Sequence, residues 1–269
     1  MSLDSILIFG CGNMGGAMLS GWLAGGLAPD RVAVVDQAPR EISQEVAQYR
    51  EWPQGKAFDA VLLGIKPQGL NDVAPVIEPQ LGPDTIVLSL LAGVELSTLR
   101  ERFPRAGGLV RVMPNLSAAL GKSPIALAAE RLDEAQRAEV LELMRPLGTP
   151  EWIEESAFDL VTALAGSGPA FVYRFIDALS AGAAELGLPV EQARQLALAT
   201  VEGASALAAR SPHDPGELAR RVASPGGVTQ AGLDTLDADG ALSRLVTATL
   251  RSARDRSAEM AAEARKTKA

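Results

Sequence analysis

One cysteine, Cys11, and one histidine, His213, are all that 269 residues offer of these two types. A lone thiol cannot form an internal disulfide, and a lone imidazole without further cysteines gives no metal cluster, so no resident metal is expected. Long apolar runs are also missing. The longest, roughly Ile86 to Val94, is far short of the ~20 residues of a membrane-crossing helix. It reads instead as a buried strand and turn. Positive charge is in deficit, with 25 Lys and Arg against 33 Asp and Glu and a net charge of −8. A broad nucleic-acid-binding face is therefore not expected, although anions can still be held locally. The opening Met1-Ser2-Leu3-Asp4 shows no basic n-region and no apolar h-region. The expectation is a cytoplasmic protein with neither membrane nor nucleic acid as partner.

The chain does have enough apolar material to fold. Apolar residues make up 47% and charged residues 22%, as in ordinary soluble domains, and the length suits two of them. Short apolar runs at Ile6–Phe9, Val32–Val35, Asp59–Ile65, Thr85–Leu90 and Gly108–Met113 read as strands. Helical spacing at Asn13–Gly25, Ile42–Arg50, Asn71–Glu78 and Leu96–Phe103 alternates with them. Near-continuous apolar strands separated by helices predict a doubly wound parallel sheet. Short strands at Ile125–Ala128 and Glu151–Ile153 flank a helix at Asp133–Leu143. The pattern turns helical from Ala157 to Arg210, with further helices at Gln230–Asp237 and from Ala241 to about Arg265. The boundary falls near residues 154–162, giving domains of 1–156 and 157–269. The helix Ala170–Leu186 is apolar over more than one face, through Phe171, Val172, Phe175, Ile176 and Leu179. Such a helix needs cover on most sides, either from a second subunit or from a monomeric bundle.

Two glycine-rich segments carry the chemistry. Gly10-Cys11-Gly12-Asn13-Met14-Gly15 follows the first strand and opens a helix, the spacing of a dinucleotide-binding turn. Gly10 permits the turn, Gly12 lets a pyrophosphate approach the backbone, and Gly15 lets the helix pack close to the sheet. Free amides at the helix start would meet the phosphate charge. Cys11 inside this turn reads as a small packing residue or a redox-sensitive one. Asp36 ends the second strand, where a carboxylate accepts from the ribose of NAD, while the nearby Arg40 could reach the 2′-phosphate of NADP. Lys66 and Pro67 close the third long strand beside the expected cleft, with Lys66 either a cofactor contact or a solvated strand end. Late in the chain, Ser224-Pro225-Gly226-Gly227-Val228-Thr229 can converge backbone amides and two hydroxyls on one small carboxylate, or simply cap a helix. Gly166-Ser167-Gly168-Pro169 is a similar flexible helix entry. His213-Asp214 could serve acid–base chemistry, but SPHDPGE reads as a loop before a helix. A chain with both cradles is read as a reductase that brings a nicotinamide to a small acid.

The segments FGCGNMGGAM (9–18), GIKPQ (64–68), RVMPN (111–115), VTALAGSGPAF (161–171) and ELARRVASPGGVTQAGL (217–233) together resemble the pyrroline-5-carboxylate reductase family, in its order. The resemblance implies an α/β fold: an N-terminal Rossmann-type doubly wound sheet and an all-helical C-terminal dimerisation domain. It implies NADP as cofactor, with NAD left open, held by Gly10, Gly12, Asn13, Met14, Gly15, Asp36, Lys66, Pro67 and Asn115. It places the carboxylate of a small cyclic imino acid on Ser224, Gly226, Gly227, Val228 and Thr229, with Thr229 also near the ring nitrogen as the catalytic contact. A homodimer is implied, which in some members assembles into a higher ring such as a decamer. The chain departs from the family pattern at Ser117, usually Pro, at Ala165, usually Ser, at Phe171, usually Tyr, and at Val228-Thr229-Gln230, usually TTI or ATI.

The implied reaction is hydride transfer to C5 of 1-pyrroline-5-carboxylate, giving L-proline, the last step of proline biosynthesis. A protonated imine is already electrophilic, so alignment and water exclusion are the main demands. The alternatives are a reductase of a related cyclic imino acid and a non-catalytic NAD(P)-binding protein. A β-hydroxyacid dehydrogenase needs a catalytic lysine after the glycine turn of its second domain. Pro169–Leu186 carries Arg174 and no lysine, and arginine is a poor base.

Overall fold

The computed structural model describes residues 3–38, 42 and 44–266. The apolar runs form β1 (Ile6–Phe9), β2 (Val32–Val35), β3 (Ala47–Tyr49), β4 (Ala60–Leu63), β5 (Ile86–Ser89), β6 (Gly108–Met113), β7 (Ser123–Glu130) and β8 (Gly148–Trp152). They make one eight-stranded sheet in the order β3-β2-β1-β4-β5-β6-β7-β8. Every neighbouring pair is parallel except β6 and β7. From β1 the chain runs outward on one side through β2 and β3, then returns to the other side at β4. That reversal leaves a crevice beyond the carboxyl ends of β1 and β4, where open α/β sheets bind ligands.

Side-chain alternation divides the core between the two faces of the sheet. Ile6 and Ile8 face one way, packing with Met18, Trp22, Val140 and Met144. Leu7 faces the other way, with Leu70, Ile77, Leu99, Phe103 and Phe158. The first face is covered by α1 (Asn13–Ala24) and the later helix Glu134–Met144, the second by α2 (Leu70–Ile77) and α3 (Leu96–Arg102). We label Glu134–Met144 α4; Asp133 and Gln136 close a reciprocal capping box at its start. Buried Trp22 satisfies its indole by donating from Nε1 to the Leu143 carbonyl at 2.7 Å, tying α1 to α4. The helix α5 (Phe158–Val161) continues into a π-helical turn at Thr162–Gly166.

One expected element is overturned. The reading of Ile42–Arg50 as a helix fails, because Ala47–Tyr49 is the edge strand β3, with Ala33 opposite Ala47 and Val35 opposite Tyr49. Pairing with β2 satisfies the backbone there, and a short, half-exposed strand needs no apolar stripe of its own. Arg40 and Pro39 lie outside the described residues.

The chain separates into two compact units, one of Met1–Ser167 with Ser252–Ala269 and one of Gly168–Arg251. The second contains α6 (Gly168–Glu185), α7 (Val190–Ala208), α8 (Pro215–Val222), α9 (Val228–Asp237) and the first part of α10 (Ala241–Lys266). Among the described residues of α6 and α7 only Ser180, Ala193 and Ala197 are buried. Val172, Tyr173, Phe175 and Leu179 on α6 remain 40–68% exposed. This is an apolar helix without a core to enter. No helix among the described residues is long and apolar enough to cross a membrane.

Candidate active site

Beyond β1 the glycines adopt the geometry their spacing calls for. Gly10 has φ +88°, a left-handed conformation, and a Cβ there would lie 2.7 Å from Ile65 Cγ2. At Gly15 a Cβ would sit 2.8 Å from the Gly10 carbonyl oxygen, so α1 can approach the turn only because no side chain intervenes. Gly12 is different: its sole near neighbour would be the Gly64 oxygen at 3.8 Å, leaving the backbone open on its other sides. It stands at the N-cap of α1 without a side-chain hydrogen bond, so the amides that follow, from Asn13, Met14 and Gly15, lack a side-chain cap. Sequence spacing did not single out Gly64, yet a side chain there would collide with the Gly10 oxygen. Its signal was present in GIKPQ.

Asp36 is bonded to the turn itself. Cys11 N–H donates to its Oδ2 at 2.8 Å and Ala38 N–H to its Oδ1 at 2.9 Å. One carboxylate therefore pins the glycine turn to the end of β2. Cys11 is buried within this arrangement. Lys66 is exposed at the end of the β4 segment, and Pro67 opens the short helical turn that leads into α2.

Asn115, just after β6, is 5% exposed. Its Nδ2 donates to the Ala165 carbonyl at 2.9 Å, its backbone N–H donates to Ser123 Oγ at 2.9 Å, and its Oδ1 accepts from Ser117 N at 2.9 Å and from the Ser117 hydroxyl. The side chain thus ties the π-helical turn to the carboxyl end of β6. Two departures from the family pattern, Ser117 and Ala165, meet on this one residue; a proline at 117 could not donate its backbone N–H. Nearby, Arg111 stacks 3.8 Å over Phe158 and donates to Glu155 Oε1 at 3.0 Å. Burial pushes its guanidinium below its ordinary pKa, and the Glu155 bond and charge pull the other way.

In the second unit, Gly226 has φ +69°, and Gly227 N–H closes a turn onto the Ser224 carbonyl at 2.9 Å. Gly227 is the N-cap of α9 with no side-chain hydrogen bond, leaving the first amides of α9, from Val228 and Thr229 onward, without a side-chain cap. Ser224, Val228 and Thr229 are all exposed. His213 and Asp214 do belong to a helix start: Asp214 Oδ1 accepts from Glu217 N–H at 2.9 Å and caps α8. Glu217 accepts from both Arg221 and Arg220, which hold its carboxyl below the usual range.

Comparison with known proteins matches both units. Residues 5–93 match the family described as NADP oxidoreductase, coenzyme F420-dependent. Residues 155–260 match the pyrroline-5-carboxylate reductase dimerisation family. Pyrroline-5-carboxylate reductase 2 of Bacillus subtilis is 34% identical over 245 residues, 87% of either chain. The Pseudomonas aeruginosa pyrroline-5-carboxylate reductase is 32% identical over 269 residues, covering 97% of this chain and 98% of that one. The solved pyrroline-5-carboxylate reductase of Coxiella burnetii superposes with a TM-score of 0.89 at 29% identity, over 96% of this chain and 99% of that one. With a glycine turn of dinucleotide geometry, a dimerisation unit and full-length identity above 30%, the chain belongs to the pyrroline-5-carboxylate reductase family.

Proposed function

We propose that this protein reduces 1-pyrroline-5-carboxylate to L-proline with NADPH, and with NADH as the other dinucleotide, in the cytoplasm. The observation that carries the reading is the open Gly12 backbone at the uncapped start of α1, beside the left-handed Gly10. Gly10, Gly12, Asn13, Met14 and Gly15 hold the pyrophosphate, Asp36 faces the ribose, and Lys66 and Pro67 border the nicotinamide side. Asn115 acts from behind, holding the segment before α6 in place. The reduced nicotinamide, when bound, supplies the hydride.

Ser224, Gly226, Gly227, Val228 and Thr229 hold the substrate carboxylate through the first amides of α9 and two hydroxyls. Thr229 also hydrogen-bonds the ring nitrogen and sets the face of the ring presented for reduction. The substrate enters as the protonated imine. Hydride adds to C5, the C=N π electrons pass to nitrogen, and the iminium becomes the secondary amine of proline. No side chain has to donate a proton in that step, which suits a chain with one histidine. The exposed face of α6 is covered by a second copy, and dimers assemble into a ring such as a decamer.

The test is oxidation of NADPH and NADH with five- and six-membered cyclic imino acids. Turnover with the five-membered acid is expected. Turnover confined to an open-chain keto or hydroxy acid would overturn the reading, and preference for the six-membered ring would reassign the substrate. Thr229→Ala is expected to raise KM for the imino acid or lower kcat while leaving dinucleotide affinity unchanged. Unaltered steady-state constants would remove Thr229 from the mechanism.

A further inference from the structure

We infer that the later turns of α10 set the position of the nicotinamide, with Ser257 as the positioning residue that seats them. The inference rests on the reductase reading and deepens it. With the pyrophosphate at the turn after β1 and the adenosine on the β2 side, the nicotinamide half lies across the switch point, over the carboxyl ends of β4 and β5. The segment bordering it there is Leu91-Ala92-Gly93-Val94. Leu90 N–H donates to the Leu63 carbonyl at 3.2 Å, carrying the β4–β5 pairing up to this segment, and Val94 N–H closes a turn onto the Leu91 carbonyl at 3.2 Å. Leu91 and Val94 are buried, whereas Ala92 and Gly93 stay partly exposed.

This turn carries α10 directly on its backbone. Gly93 has φ +74°, the left-handed conformation that the third position of such a turn reserves for glycine. A Cβ there would lie 3.3 Å from both N and Cα of Ala261 and 3.5 Å from the Met260 carbonyl carbon. Ala261 itself is 4% exposed. One helical turn earlier on the same face, Ser257 Oγ donates to Asp159 Oδ1 at 2.7 Å. Asp159 stands four residues after Glu155, whose Oε1 accepts from Leu96 N–H at 2.7 Å just beyond the turn. The contacts close a ring: Gly93 to Leu96 along the chain, across to Glu155, on to Asp159, across to Ser257 and back through Ala261. The ring borders a hollow of about 340 Å³ lined by Glu95, Arg111, Glu155, Ser156, Asp159 and Ala261. All of it belongs to the first unit.

The turn and the helix therefore move together. Where backbone lies on backbone, no side chain can rotate to absorb a shift, and close packing passes it on. The Ser257–Asp159 bond holds α10 in this seat. Without it α10 lifts, the turn loses its cover, and the nicotinamide ring loses the edge that orients it. The pyrophosphate stays on the turn after β1 and the start of α1, neither of which belongs to the ring. Hydride transfer tolerates displacements of a fraction of an ångström poorly, so it falls while dinucleotide binding does not.

The experiment titrates full-length Ser257→Ala with NADPH and measures kcat and KM with the cyclic imino acid. We expect kcat to fall about three- to tenfold with dinucleotide affinity unchanged. The fluorescence lifetime of bound NADPH, which reports the surroundings of the nicotinamide, should shift toward that of the free dinucleotide. Ser257→Thr keeps the hydroxyl and should restore both readings. Unchanged kcat and lifetime in Ser257→Ala would overturn the inference, as would equal losses of kcat and affinity. Hydrogen exchange of the unaltered protein needs no variant to fold: NADPH should raise protection at residues 91–94 and 257–261 together. Protection confined to the glycine turn and α1 would overturn the inference and leave the reductase reading standing. If the imino acid is not reduced, the reductase reading fails, while lifetime and exchange still decide the role of α10.

Discussion

Gly15 and Gly16 are neighbours on α1 and should respond oppositely to the same methyl group. At Gly15 a Cβ would sit 2.8 Å from the Gly10 oxygen and 3.4 Å from Ile8 Cγ2. Gly10 cannot retreat, because its own backbone lies against Ile65 and Gly64 and its N–H is bonded to the Val35 carbonyl at 2.8 Å. Relief must come from α1, which moves off the turn by about half an ångström. Overpacking of this kind costs ~1–3 kcal/mol. The helix preference of alanine over glycine returns ~1 kcal/mol. Gly15→Ala is therefore expected to lose ~0–2 kcal/mol of stability. The displaced α1 amides should lower dinucleotide affinity by about tenfold, the scale of sub-ångström misplacement. At Gly16 a Cβ would meet nothing within 4 Å. Gly16→Ala should gain ~1 kcal/mol, raise Tm by about 2–4 °C, and leave dinucleotide affinity unchanged. Thermal unfolding and fluorescence titration of the two variants side by side give the answer. Equal behaviour in both assays would refute the close approach of α1 to the turn.

Two further outcomes follow from charged groups. Glu155→Gln leaves the buried Arg111 guanidinium without its hydrogen-bonded counter-charge, with only the weaker fields of Asp159 and Glu95 remaining; with Glu155 35% exposed, we expect ~2–3 kcal/mol lost in denaturant unfolding, below the full cost of a broken buried pair. Adding Arg111→Met should recover part of that loss, and a double variant as unstable as the sum of the singles would contradict the coupling. The carboxyl of Glu217 is held below its ordinary pKa by Arg221 and Arg220, so its contribution to α8 is present above the unfolded carboxylate pKa and lost as pH falls through the folded value. Protection of the α8 amides, taken relative to their intrinsic exchange rate at each pH, should fall on acidification in that window, and Glu217→Gln should flatten the response.

Most of the site's first half was legible because each glycine answers to a local demand. A left-handed φ at Gly10 and a close helix at Gly15 leave their mark in sequence at fixed spacing. The helix start after SPHDPGE was likewise visible as a loop before a helix, while the capping bond of Asp214 came from the structure. The partners of Asn115 were not legible. Its carboxamide reaches Ala165, fifty positions away in the chain, and nothing in the RVMPN segment announces that bond. Asp36 was read as a ribose contact, but its two bonds to backbone amides come from the folding of β2 against the glycine turn.

What the sequence determined alone was the alternation of strand and helix, the mostly parallel sheet and the two glycine-rich turns that open helices, because periodicity and single-residue steric demands act over a few neighbours. Where those local signals were weak, the tertiary structure decided. Ala47–Tyr49 became a strand only because β2 offered an unpaired edge, and local helical spacing could not compete with satisfied backbone hydrogen bonds. The uncovered face of α6 has the same origin on a larger scale: its apolar residues were plain in the sequence, but only the fold showed that the unit carrying them leaves them exposed.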